Sequence, residues 1–373
     1  MKYLLLLIVL FSVQLGFSQQ AEFRYSSRLV LGTGAEKTAS IGVGDIDKDG
    51  DIDVVVANGR HWPQANQVFI NNGYGIFSVS KLLDDIYETS YATELADLDG
   101  DGDLDIAVGN DMAPNAIYLN DGSGNFSRSG SFGQAYSPTR NLKCSDIDGD
   151  GDIDILITNR GKENEICLNN GKGQFGETIN FGSTDDSTID VEVSDMDEDG
   201  DLDLILANRD GGQNYIYLNK GQLNFSEKVS FGSGKDETRA IAVADIDQDG
   251  YKDIVTANIG EANVVYFGNK ELDYSRKKEF DSSSSHSYSV AVDDLDDNGS
   301  PDIVIANVGE PNKVFLNTQA GNSWDEIKLG SQNLNTYDII LADLNNDKRL
   351  DIIESNSDAA NYYYFNTTLL QFD

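Results

Sequence analysis

The sequence predicts an all-β fold, a seven-bladed β-propeller with four antiparallel strands per blade, on three observations. An aspartate-rich loop recurs seven times along the 373-residue chain. Each recurrence brings four short apolar stretches with it. The two ends of the chain carry complementary parts of one such unit.

The loop is clearest at Asp97-Leu-Asp-Gly-Asp-Gly-Asp-Leu-Asp105. Its copies begin at Asp45, Asp97, Asp146, Asp195, Asp245, Asp294 and Asp343, 49 to 52 residues apart. So regular a period marks a repeat architecture. Within each loop the side chains at positions one, three and five converge because a glycine at position six turns the chain. Position nine closes the cage, and the position-seven carbonyl supplies a further oxygen. This all-oxygen, anionic shell suits calcium, and it lacks the nitrogen and sulfur ligands of zinc or copper sites. Four carboxylates crowded without a cation would repel.

The expected ligands of the first loop are Asp45, Asp47, Asp49, Asp51 and Asp53. Those of the second are Asp97, Asp99, Asp101, Asp103 and Asp105. The third has Asp146, Asp148, Asp150, Asp152 and Asp154, and the fourth Asp195, Asp197, Asp199, Asp201 and Asp203. The fifth has Asp245, Asp247, Asp249, Tyr251 and Asp253, and the sixth Asp294, Asp296, Asn298, Ser300 and Asp302. In the seventh, Asp343, Asn345, Asp347, Arg349 and Asp351 surround a Lys348 in place of glycine. Up to seven Ca2+ are therefore expected, the seventh bound most weakly. An EF-hand is excluded. It needs flanking helices and a bidentate Glu at position twelve, which here is Val56, Val108, Ile157, Leu206, Thr256, Ile305 and Glu354.

Residues 1–18 read as a secretory signal peptide: Lys2, an apolar run over residues 4–13, and small residues before a cleavage near Ser18. The run is too short to span a bilayer, and no later stretch is long enough. An exported protein without a membrane span is the expectation, in the periplasm or outside the cell. Residues 19–373 are expected to form one propeller. The net charge of −37 would repel nucleic acid and anionic membranes. Much of it belongs to the loops.

In each unit the first apolar stretch enters the loop, as in Ile241-Ala-Val-Ala244, and the second leaves it, as in Ile153-Asp-Ile-Leu-Ile157. The third follows a short connector, as in Ile117-Tyr-Leu119. The fourth begins at an aromatic after a Gly/Asn turn: Phe77, Phe126, Phe175, Phe225, Tyr274 or Trp324. Four short strands per unit describe propeller blades. Residues 23–30 align with a fourth strand, and the chain ends on a third, Asn361-Tyr-Tyr-Tyr-Phe-Asn366. The N-terminal strand therefore completes the last blade and leaves no open edge. Cys144 and Cys167 fall on the first and third strands of one blade, about 9.6 Å apart. A disulfide needs Cα atoms within about 7 Å, so two free thiols are expected.

With the Phe132-Gly, Phe181-Gly and Phe231-Gly dipeptides and the Asp loops, the chain resembles the FG-GAP/VCBS repeat family over residues 22–368. The best-known members are the propellers of integrin alpha subunits. The resemblance implies calcium loops on the lower face, between first and second strands. It implies ligand binding on the upper face, built by the 4→1 and 2→3 connectors. Nothing here matches the inserted metal-dependent domain, leg region or membrane span of integrins.

Thr or Ser seven residues before each loop, and Asn after each second strand and opening each third strand, recur in all seven units. Bonds to nearby backbone are the expected reason. Residues that differ between units carry more information. Six residues before the loops stand Ala39, Tyr91, Arg140, Ile189, Arg239, Tyr288 and Tyr337. They are expected to ring the upper mouth and offer stacking and anion pairing. The long first-blade connector adds Arg60, His61, Trp62 and Pro63. The expected function is a non-enzymatic recognition or adhesion module, a monomer binding a glycan or protein ligand through Tyr91, Arg140, Arg239, Tyr288, Tyr337, His61 and Trp62. The alternative is a polysaccharide lyase with His286 or Tyr288 as base and Arg239 neutralising a uronate. A scaffold with no small ligand is a third reading.

Overall fold

The computed structural model describes residues 21–32, 34–281 and 285–368. The signal-peptide reading falls outside these residues. Blade two shows the unit: strands Ser90–Ala96, Asp105–Asn110, Ala116–Asn120 and Phe126–Gly130, antiparallel in sequence order. Six sheets have this form, and no strand is followed by a helix among the described residues. The seventh sheet is built from both ends of the chain. Asn361–Asn366 pairs with Phe23–Arg24 at one end and Val30–Leu31 at the other. The ring therefore closes as expected, but the closing strand is two short pieces. The fourth strands of blades one, four and five begin at Val79, Glu227 and Lys277, after the aromatic that was expected to open them. Among the described residues no helix is long and apolar enough to cross a membrane.

The period-2 alternation of the second strands explains the packing. In Asp154–Asn159 every residue is buried. Ile155 and Ile157 face blade two, whereas Leu156 faces blade four. Each blade is thus glued to both neighbours, giving seven cores, one at each blade interface. Burying one such Ile or Leu contributes about 1.5–3 kcal/mol. Phe132, Phe181 and Phe231 are buried in these cores. Cys144 and Cys167 both pair with Ile155, one on each side, which keeps them two strands apart and free.

The recurring polar residues bond nearby backbone as expected, as where Asn58 Nδ2 donates to the Ala65 carbonyl at 3.0 Å, and they also act between blades. Thr38 donates to Asn58 Oδ1 at 2.8 Å, and Asn66 accepts from the Asn58 N–H at 2.8 Å. Asn66 then donates to Ser90 of the next blade at 3.0 Å. Equivalent bonds join Asn164 to Thr188, Asn214 to Thr238, Asn263 to Ser287 and Asn312 to Thr336. Asn361 donates to Thr38 at 3.0 Å and carries the relay across the closure.

Candidate functional site

Two places in the ring concentrate chemistry: the loops beneath and the channel mouth above. Each lower loop is organised by its own carboxylates. In all seven, the position-six N–H donates to position one at 2.7–3.1 Å. The position-two N–H donates to position nine at 2.8–3.3 Å. The other oxygen of position nine accepts from the end of the third strand at 2.7–2.9 Å. Position nine is therefore a strut as well as a wall of the cage. Position six needs a left-handed residue, and six loops have glycine at φ 84–98°.

Carboxylate oxygens converge within 4.8 Å in the groups Asp45–Asp47–Asp53, Asp97–Asp99–Asp101, Asp146–Asp148–Asp154, Asp195–Asp197–Asp199 and Asp245–Asp247–Asp253. These clusters could hold metal ions. The donor set fits a hard divalent cation, because Asp47 Oδ1, Asp146 Oδ1, Asp195 Oδ1 and Asp247 Oδ1 are buried with no hydrogen-bond partner among the described residues. Burial pushes Asp53, Asp253, Asp302 and Asp351 up to about 7, and Asp105, Asp154 and Asp203 up to about 6. Burial is the largest cause of each shift, the neighbouring carboxylates add to it, and the backbone N–H bonds to each position-nine side chain oppose it. Two position-seven side chains are engaged outside their own loops: Asp51 accepts from Asn346 at 2.7 Å, and Asp103 pairs with Lys48. In the seventh loop Arg349 binds Asp347, the position-five carboxylate.

On the upper face, each inner strand carries a bulge at one register position. The extra residue is Ala39, Tyr91, Arg140, Ile189, Arg239, Tyr288 or Tyr337, and a bulge re-aims its side chain. The structure brings Ala39, Tyr91, Arg140, Arg239, Tyr288 and Tyr337 together around an open cavity of about 60 Å³. Arg60 stacks on Tyr337 at 3.6 Å, Arg140 on Tyr91 at 4.5 Å, and Arg239 over Tyr288 at 5.6 Å. Tyr288 and Tyr337 meet edge to face at 5.0 Å. His61 Nδ1 lies 2.7 Å from Tyr91 Oη. Burial lowers the His61 pKa, helped by Arg60 and Arg140, so its ring is neutral at pH 7. Burial also lowers Arg239 to about 10, with Arg60 repelling it. Trp62 stands 68% exposed at the rim. His286 is exposed and forms no hydrogen bond or ring contact with Tyr288 among the described residues, so of the expected His286–Tyr288–Arg239 arrangement the structure brings together Tyr288 and Arg239 alone.

Sequence reasoning missed the floor of this cavity. Asp190 accepts from the N–H groups of Val191 and Ile241, both at 2.9 Å. Asp338 accepts from Ile41 N–H and from Ser289, both at 3.0 Å. Both follow the bulge residue, where the other blades have Ser40, Ala92, Asn141, Ala240 and Ser289. The same column comparison that singled out the mouth would have found them. Arg60, read only as part of its connector, reaches a tyrosine of the last blade.

The fold and these loops define a repeat propeller with an acidic loop at the base of each blade. The chain matches the FG-GAP-like repeat at residues 45–108, 97–143, 146–206, 195–256 and 294–354, and it belongs to that family. No curated protein matches it in sequence. Among solved structures it resembles BBS1N in complex with ARL6DN, soaked with lead. The TM-score is 0.62 at 12% identity, covering 92% of this chain and 96% of that one. The mercury-soaked form of the same complex gives 0.61 at 11% identity, covering 90% and 95%. At such identity the likeness is one of fold.

Proposed function

We propose that this chain is an exported, calcium-loaded propeller that works as a recognition or adhesion module, binding a glycan or protein ligand at the upper mouth. The carrying observation is the bulge ring. The backbone repeats in all seven blades, while the side chain it presents differs, so the mouth is where the ring departs from its own symmetry. Arg and Tyr there supply planar donors and ring faces. The solved complex of a similar propeller with another protein supports binding as the class of activity. The calcium ions hold the base and leave the upper face to the ligand.

The test is a glycan-array screen in calcium and in EDTA, with wild type beside an Arg140/Arg239/Tyr288 triple alanine variant. A ligand retained only by wild type supports the reading. Equal binding by the folded variant refutes it. The His61–Tyr91 pair beside Arg140 favours a lyase as the second reading, because a neutral imidazole bonded to a phenol is a proton-transfer pair. That reading predicts ultraviolet absorbance from unsaturated uronate product.

A further inference from the structure

We propose that the upper face from blade one to the start of blade three docks a polypeptide, whose carboxylate enters among Arg60, Arg140 and Arg239 while its apolar side chains lie along the adjoining rim. This rests on the recognition reading and narrows it.

The exposed large apolar side chains of the described residues all fall between residues 62 and 136. Trp62, Ile86, Tyr87, Met112 and Tyr136 are on upper connectors, at 68%, 43%, 65%, 59% and 63% exposure. The other four continue down the outer side of blade one. Scattered exposure would spread over seven blades, whereas a single sector marks an interaction surface. The sector is held rigid. Gln64 and Glu88 exchange backbone hydrogen bonds at 3.0 and 3.3 Å, and Met112 N–H donates to Ser137 at 2.9 Å.

Met112 is the most telling residue. It has φ +57° two residues after the end of its second strand. Gly161, Asp210, Gly260, Gly309 and Asp358 occupy that position in blades three to seven, also at positive φ. Glycine and aspartate suit this conformation, and a methionine does not. Met112 thus accepts both backbone strain and exposure, a combination found at binding sites.

The rim joins the mouth directly. Met112 follows Asp111, which pairs with Arg140 at 2.8 Å, and Trp62 follows His61, which meets Tyr91. Arg60 and Arg239 form no ion pair among the described residues; Asp190 on the cavity floor attracts Arg239, and Arg60 repels it. An anion between them relieves that repulsion. Sugars stack on flat rings, but Ile86 and Met112 offer branched and thioether surfaces that suit hydrocarbon side chains. They decide for a polypeptide over an acidic glycan.

The experiment is a synthetic peptide array probed with the calcium-loaded protein, each peptide carrying either a free or an amidated C-terminus. Hits are expected to hold an Asp, a Glu or a free C-terminus beside Phe, Leu or Met. Neutralising that carboxylate by Glu→Gln or amidation should weaken binding at least tenfold. Comparing the two arms tells a side-chain carboxylate from a terminal one. Met112→Gly should weaken binding at least tenfold while raising Tm, which separates lost contact from lost folding. Hits without an acid, hits indifferent to Met112→Gly, or no hits overturn the proposal. Glycan binding that needs Arg239 but ignores Met112→Gly would leave the recognition reading standing and sink this one.

Discussion

Lys348 sits at φ +70° where six other loops have glycine. A side chain in that region costs about 1–2 kcal/mol. Its neighbour Arg349 binds Asp347 and also donates to the carbonyls of Asn366 and Thr368. The seventh loop therefore carries its own cation in place of part of a metal's charge. Lys348→Gly is expected to raise unfolding free energy by about 1 kcal/mol in urea denaturation. Calcium titration should find Asp343→Ala less costly than Asp97→Ala, and equal costs would refute the ranking. A second residue governs pH dependence. Glu354 is 1% exposed and accepts from Asn312 at 2.6 Å and Asn356 at 3.1 Å. Burial nonetheless raises its pKa from 4.5 to about 7. Because the folded value lies above the unfolded one, its contribution is full below pH 4.5 and is lost as pH rises through 7. The difference between wild type and Glu354→Gln should shift by about 3 kcal/mol from pH 4 to pH 8. A constant difference would show that the carboxylate stays ionised. The Lys348 anomaly was legible in the sequence, since it breaks a column. The Arg349–Asp347 bond was not, because its direction depends on the third strand beside it.

At the scale of the element, the blade is a unit that cannot satisfy its own polar groups. The Asn opening each third strand accepts a hydrogen bond within its blade, and six of the seven donate to the next. Asn361→Ala removes the 2.7 Å bond from Asn356 N–H and the 3.0 Å bond to Thr38. Leaving such buried groups unmade costs about 1–3 kcal/mol. Asn164→Ala should cost a similar amount at an interior interface, through its 2.9 Å and 3.1 Å bonds. Thermal denaturation of both variants checks this, and a closure variant as stable as wild type would mean that the ends do not hold the ring. Periodicity made the blades, their order and the closing strand readable, because each is a local pattern repeated. The partners of the Asn side chains were unreadable, since they lie in a neighbouring blade. Arg60 and Tyr337 are distant in sequence and touch only because the ring closes. The exposure of Met112 was hidden for a related reason: no spacing rule tells a connector facing solvent from one folded under its neighbour.

For the whole molecule, the question is whether seven acidic loops need their ions. The backbone N–H bonds to positions one and nine show that each loop can hold its shape by itself. Against that stand the net charge of −37 and the orphaned oxygens of Asp47, Asp146, Asp195 and Asp247. A cation bound only by the folded state adds about 2.7 kcal/mol per site at a hundredfold excess over Kd. Several sites acting on one closed ring would then dominate its stability. EDTA is expected to lower Tm steeply, and calcium in excess to restore it. Without calcium, the repulsion among surface carboxylates is screened by salt over a Debye length of about 10 Å at 0.1 M. Added NaCl should therefore recover part of the lost Tm in the stripped protein and change the calcium-loaded one little. A Tm indifferent to EDTA would make the loops self-sufficient turns, with the N–H bonds to positions one and nine as their whole reason for being acidic. The two outcomes differ at one further point. Only the metal-dependent ring should lose the Arg-lined mouth on chelation, because the loop at the bottom of each inner strand and the bulge at its top share one strand of seven residues.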